Sequence, residues 1–406
     1  MNALARLLLP LGLLLATLAG ASATPMPPAA IMLGDEVFLQ TAAHDLAGRC
    51  VGIVTNQTGV TSHLESIVDA VRRDHSICLK ALYAPEHGLR GDQPAGKYVA
   101  SYIDERTGLP VGSLYGPTRH PTAAMLGGVD VILFDIQDVG SRAYTYISTM
   151  AYVMQAAHDF HKEVWILDRP NPMGADIVEG PVLDPAFKSF VGLYPIAYRH
   201  GMTIGELARM FNTEFGINCK LRVIAMKGYR RSMQWPDTGL AWIPTSPNIP
   251  EWDTTLVYPT TGLIDKAGIN NAAGYMKPFK LAGAFGLDAQ RYADVLNARD
   301  IPGITFFPTA WSPVEGFWKG RTLSGVQLIV HDTHSYRAVR TAVELLAAAR
   351  SVMPGKIHYP ASMDRDWGTD RVRLALQRGD SADAIVHSWD ADLKHFMEIR
   401  AKYLLY

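Results

Sequence analysis

Four apolar runs in the first half of the chain each break off in a cluster of polar and charged residues, a pattern that constrains the fold more than any other. Val51 to Val54 leads into Thr55-Asn56-Gln57, and Leu79 to Tyr83 leads into Pro85-Glu86-His87-Gly88. Val129 to Phe134 leads into Asp135-Ile136-Gln137-Asp138, and Val164 to Leu167 into Asp168-Arg169-Pro170-Asn171. Continuous aliphatic and β-branched runs of this length are strands of a parallel sheet covered on both faces. Helix signals separate them. Ser62-His63-Leu64-Glu65 forms a capping box that opens a helix from Leu64 to Arg73. Ser148 to Lys162 has helical periodicity, Thr203-Ile204-Gly205-Glu206 opens a helix to Phe215, and Leu221 to Met226 is a fifth strand. Strand and helix in alternation specify a parallel α/β layer. Ligands of such sheets bind beyond the carboxyl ends of the strands, which is where Glu86, Asp135 and Asp168 are expected to emerge side by side.

Gly228 to Pro259 changes character. Trp235, Trp242, Trp252 and five prolines fall in a stretch with little periodicity, read either as an aromatic wall for a small ligand or as a packed connection. From about Leu256 the pattern is α+β, with helices over Ala289–Arg299, Ser335–Ser351 and Asp390–Leu405 and strands at Ile304–Phe307 and Gly325–Val330. The expected organisation is an α/β domain over residues 30–255 and a smaller α/β (α+β) domain over 256–406 forming the other wall of a cleft.

The first 23 residues have the features of a signal peptide: Arg6, an apolar run from Leu7 to Leu18, and Ala21-Ser22-Ala23 as cleavage site. Export to the periplasm or medium is the expected fate, and no later run reaches the ~18 apolar residues of a spanning helix. A net charge of −1 offers no footprint for nucleic acid or anionic lipid. Three cysteines leave at least one unpaired. Cys50 and Cys78 each precede an apolar strand, so a disulfide is feasible if those strands are neighbours; buried thiols are the alternative.

Common cofactor motifs are missing. The first strand is followed by Asn56-Gln57-Thr58-Gly59 rather than a glycine-rich dinucleotide turn, and neither a phosphate-cradling loop nor a nucleophile elbow occurs. No cofactor is expected. His331-Asp332-Thr333-His334 is a weak metal candidate, better read as a helix cap. Carboxylate chemistry remains, and glycoside hydrolysis needs two positioned carboxyl groups. Glu86, between Pro85 and His87 at a strand end, is the candidate acid, with a structural pair to Arg90 as the alternative. Glu179, in Val178-Glu179-Gly180-Pro181, is the candidate second carboxylate, with a turn-stabilising hydrogen bond as the alternative. Asp135 and Asp168 suit orientation of neighbouring loops. Arg142, Arg169 and Arg199 are candidate anchors for an anionic substrate group, and Tyr144, Tyr146 and Asn248 candidate sugar contacts.

Six segments in order carry a family resemblance: Ala84-Pro85-Glu86-His87-Gly88-Leu89-Arg90-Gly91; Phe134 to Arg142 with Tyr144-Thr145-Tyr146; Asp168-Arg169-Pro170-Asn171-Pro172; Val178-Glu179-Gly180-Pro181; Arg199-His200-Gly201-Met202-Thr203; and Ser246-Pro247-Asn248-Ile249-Pro250. Together they closely resemble the NamZ-type exo-β-N-acetylmuramidases, glycoside hydrolases of cell-wall recycling. The resemblance implies a Rossmann-like domain with a smaller α/β domain, an active site between them, and release of terminal N-acetylmuramic acid from the non-reducing end of peptidoglycan fragments. It favours Glu86 as a catalytic carboxylate and adds Asn56, His87, Gln137, Asn171 and His200 to the substrate-contact candidates. The lactyl carboxylate of muramic acid would give one of the arginines a purpose. One region departs. Where the family typically has Glu-Gly-Thr-Asn and Ser-Glu-Gly-Arg-Gly, this chain reads Asp265-Lys266-Ala267-Gly268 and Asn270-Asn271-Ala272-Ala273-Gly274. An acid has become Asn271 and an arginine Ala273. The alternative to an exo-glycosidase is a non-catalytic saccharide-binding relative with an altered 265–274 loop; a metal-dependent hydrolase is a weaker third.

Overall fold

A computed structural model describes residues 30–314 and 318–406; the signal-peptide reading lies outside them. The strands are β1 (Cys50–Thr55), β2 (Cys78–Ala84), β3 (Tyr102–Ile103), β4 (Pro110–Ser113), β5 (Val131–Asp135), β6 (Glu163–Leu167), β7 (Glu179–Val182), β8 (Ala197–Arg199), β9 (Lys220–Ile224), β10 (Leu281–Ala284), β11 (Ile304–Trp311) and β12 (Leu323–Val330). Seven form one sheet in the order β3-β4-β2-β1-β5-β6-β9, parallel except for β3. All five expected strands lie in it. Chain order reverses beside β1, with β2 on one flank and β5 on the other, so the crevice at a switch in strand order opens at Thr55 and Asp135. Strands β10, β12 and β11 form a three-stranded antiparallel sheet in the C-terminal part. The fold is α/β and Rossmann-like, and one apolar cluster runs from the sheet through helix Ala338–Val352 to Tyr403.

Two helix starts illustrate how side chains override pattern. The box at Thr203 is real: its hydroxyl accepts from Glu206 N and the Glu206 carboxylate accepts from Thr203 N. The box at Ser62 is not. Ser62 bonds Glu36 instead, Leu64 adopts φ +64°, and the helix begins at Ile67, capped by Ser66. Cys50 and Cys78 are opposite one another on paired strands and form a disulfide, while Cys219 is free and buried.

The carboxyl edge of the sheet is locked by charge. Arg169 donates through Nε to Asp135 (2.5 Å) and through Nη2 to Asp35 (2.9 Å), and all three are buried. This joins the ends of β5 and β6 to the N-terminal helix Gly34–Thr41. Asp168 accepts from Thr203 Oγ1, Gly205 N and Tyr406 OH, so it fixes the start of helix Ile204–Thr213 and the last residue. Glycine is required at both approaches to it. A Cβ on Gly34 would stand 2.2 Å from Asp168 N, and one on Gly205 2.7 Å from the Asp168 carboxyl carbon. Arg169→Ala leaves two buried carboxyl groups facing each other without a cation and is expected to cost about 3–5 kcal/mol, read as a lower urea midpoint at pH 7.

Candidate functional site

Glu86 stands two residues beyond the end of β2, and the turn after it is built to return the chain. His87 takes φ +71°, Gly88 N bonds Pro85 O, and His87 Nδ1 lies 2.7 Å from Gln93 O. The folded-back loop brings Gly96 N to 2.9 Å from Glu86 Oε1, while Thr145 Oγ1 donates to Oε2 at 2.7 Å. Glu86 is 9% exposed, and Arg90 pairs with Asp104 rather than with it. Three phenols crowd it. Tyr115 is pushed up to about 12, by burial first and then by the charge and hydrogen bonding of Glu86; Tyr146 and Tyr258 are also raised, by burial with Glu86 contributing.

A cavity of about 540 Å³ opens beside this wall. Ala95 and Ala143, neighbours of the two groups that hold Glu86, line it with Tyr198, Asn248 and Tyr258 from the first part of the chain. Asp265, Lys266, Ile269, Asn270, Asn271, Ala273, Ser362 and Asp366 line its other side. The departed 265–274 loop is thus a wall of the cleft. Asn248 Oδ1 accepts from Gly274 N at 2.8 Å, which ties the loop to the Pro-rich segment. The tryptophans of that segment pack inward, Trp235 edge-on against Trp242, so Asn248 and Tyr258 are its contribution. Burial first, and then neighbouring Asp265, raise the Asp366 carboxyl to about 6. Tyr258 and Asp366 line the same cavity, and the charges of Glu86 and Asp366 both add to the rise of the Tyr258 phenol.

The remaining candidates are distributed differently from expectation. Glu179 is buried among Arg340 N, which it accepts at 2.7 Å, and Arg199 opposite it in the β7–β8 pair; it does not join the wall around Glu86. Arg142 donates to the carbonyls of Pro181, Ile196 and Trp367, bolting the two parts of the chain together. Arg199 donates to Met173 O, and Arg169 is held by the carboxylates described above. All three guanidinium groups are buried in internal contacts. Asp135, Asp168, Gln137 and Asn171 likewise hold loops: Gln137 Nε2 donates to Pro170 O, and Asn171 Nδ2 to Met202 O. Asn56 bonds Tyr146 OH, which donates to Thr245 O, and Tyr144 donates to Thr245 Oγ1. These residues brace the segment that carries Asn248. Asp332 accepts from His334 N and Ser335 Oγ, a cap and not a ligand set.

The sequence pattern missed Asp138, Thr145, Tyr115, Asp366 and Asp35. Asp366 and Asp35 lie far along the chain from any motif; Thr145 and Asp138 stand inside one, and only their neighbours were singled out.

Family models of the exo-beta-N-acetylmuramidase NamZ match this chain twice, the N-terminal one over residues 51–253 and the C-terminal one over 256–406. The chain belongs to the NamZ family. It is 43% identical over 378 residues to the peptidoglycan beta-N-acetylmuramidase NamZ of Bacillus subtilis, covering 93% of this chain and 91% of that protein. Two crystal structures of DUF1343 family proteins from Bacteroides fragilis share the fold. One has a TM-score of 0.88 at 37% identity, covering 94% of this chain and 100% of the other. The second has a TM-score of 0.74 at 28% identity, covering 93% and 99%.

Beneath the site, Asp138 and His200 are buried 3.9 Å apart. Burial raises the Asp138 carboxyl to about 7 and lowers the His200 imidazole to about 3. Folded Asp138 keeps its proton up to about pH 7, whereas the unfolded group releases it near pH ~4. The native state binds more protons between those values, so this group lowers stability as pH rises from about 4 to about 7. Asp138→Asn is expected to flatten that part of the stability profile and to raise the thermal midpoint at pH 7 relative to wild type, as followed by calorimetry from pH 4 to 8.

Proposed function

We propose that this protein is an exported exo-acting glycosidase that removes terminal N-acetylmuramic acid from the non-reducing end of peptidoglycan fragments. The observation that carries the reading is Glu86, buried in the wall of the cleft with both oxygens held, beside a cavity of about 540 Å³ lined by hydrogen-bonding side chains. Membership of a family whose Bacillus subtilis relative is a peptidoglycan beta-N-acetylmuramidase supports the substrate class.

Glycoside hydrolysis breaks the bond from the anomeric carbon to the leaving oxygen, places a proton on that oxygen and adds water at the carbon. Two donors on Glu86 suit a carboxylate facing the anomeric carbon or its attacking water. Asp366, which keeps a proton to about pH 6, suits protonation of the leaving oxygen. Glu86→Gln is expected to lower release from a chromogenic N-acetylmuramide by about two to four orders of magnitude with an unchanged circular dichroism spectrum. A loss below tenfold would move the role elsewhere. Because Asp366 acts in its protonated form, wild-type kcat/KM is expected to decline as pH rises through about 6. In Asp366→Asn the residual rate is at least tenfold lower and no longer follows that decline.

Export is supported by the disulfide between Cys50 and Cys78, which needs an oxidising compartment, and by the composition of the first 23 residues. Cell fractionation is expected to recover the protein, shortened by those residues, from the periplasm or medium; the full-length chain in the cytoplasm would contradict export.

A further inference from the structure

A carboxylate-bearing sugar needs a cation in this cleft, and the three arginines singled out by sequence are enclosed in internal contacts. Lys266, on the cavity wall, bonds Asp265 at 3.1 Å. Arg119 is different. It follows β4 in the segment Tyr115-Gly116-Pro117-Thr118-Arg119, and among the described residues no carboxylate or carbonyl accepts from it. Its Nε is buried without a partner, as are those of Arg142 and Arg199, whose Nη groups nonetheless donate to carbonyls. Its guanidinium carbon lies 4.2 Å from the centre of the Phe190 ring and 5.9 Å from that of Tyr115. Stacking of this kind holds the plane of the fork while leaving its N–H edges free to bind a planar anion bidentately. Both rings belong to the site: Tyr115 is the phenol against Glu86, and Phe190 precedes Val191 of the cavity lining.

We infer that Arg119, held over the Phe190 ring with Tyr115 at its side, is the specificity-determining residue that receives the carboxylate of the bound sugar. The inference rests on the muramidase reading for the identity of that sugar. It places the substrate acid group beside Tyr115, the phenol against Glu86, whereas the cavity lining that carries Asp265 and Asp366 would meet a carboxylate with like charge.

The test is equilibrium binding of N-acetylmuramic acid and of its lactyl methyl ester to the full chain, by calorimetry, for wild type, Arg119→Gln and Arg119→Lys. A charge-assisted bidentate contact predicts that wild type binds the acid about tenfold to a hundredfold tighter than the ester. Arg119→Gln is expected to abolish that ratio while leaving ester affinity within about twofold, and Arg119→Lys to retain part of it. An unchanged acid-to-ester ratio in Arg119→Gln, equal weakening of both ligands, or no preference in wild type would overturn the assignment. So would no binding of either ligand by wild type at millimolar concentration. Hydrolysis of the chromogenic muramide is scored separately, so a protein that binds the acid through Arg119 without turnover sinks the glycosidase reading alone.

Discussion

Two carboxylates and one guanidinium, Asp35, Asp135 and Arg169, close the crevice where an open parallel sheet ordinarily receives its ligand. Two ionised carboxyls here would be surplus negative charge in a dry place, and Asp35 answers by holding its proton. Burial and the Asp135 charge push Asp35 up to about 8, although Arg169 pulls in the other direction. Such a cluster holds only while its cation is present, since a buried charge without a counterpart costs several kcal/mol. Its geometric effect is to fix the ends of β5 and β6 and the first helix as one unit. The chain leaving β2 then has a rigid edge to fold against, and the cavity forms to one side of the switch in strand order rather than over it.

That displacement explains the division of labour among the acidic residues at the strand ends. Asp135 ends β5 and Asp168 follows β6, and their oxygens are taken up by guanidinium, hydroxyl and backbone donors. Glu86 stands two residues beyond the end of β2 and carries one more methylene. Its carboxyl reaches Thr145 and Gly96. Similar sequence positions therefore give opposite outcomes, and the donors that the fold brings to each carboxyl decide between them.

The parallel sheet was legible because period and polarity agree: five largely apolar runs became five strands within one or two residues. Glu86 was legible too, as a carboxylate at a strand end. The fate of the arginines was not. Arg142, Arg169 and Arg199 look like ligand anchors in a linear reading, yet each is the nearest donor to backbone carbonyls or carboxylates brought together by the fold from as far away as Trp367. Asp366 was invisible for the same reason, since it enters the cleft from a short helix more than 270 residues beyond Glu86 (366 − 86 = 280). Turn chemistry made a further difference at Ser62, where a partner in another helix outcompeted the local cap.

The changed loop is best understood through the charge of the cavity. The family resemblance implies a glutamate and an arginine where this chain has Asn271 and Ala273, an exchange that removes one charge of each sign and keeps the sum. Asn271 donates to Thr261 O and accepts from Ala273 N, so the replacement amide is used to hold the loop itself. What remains on this wall is Asp265 with Lys266 at its side and Asp366 behind them. The loop keeps Lys266 as its cation, bonded to Asp265, and an anionic sugar is directed away from Asp366 toward the guanidinium of Arg119 before any contact specific to its ring is made.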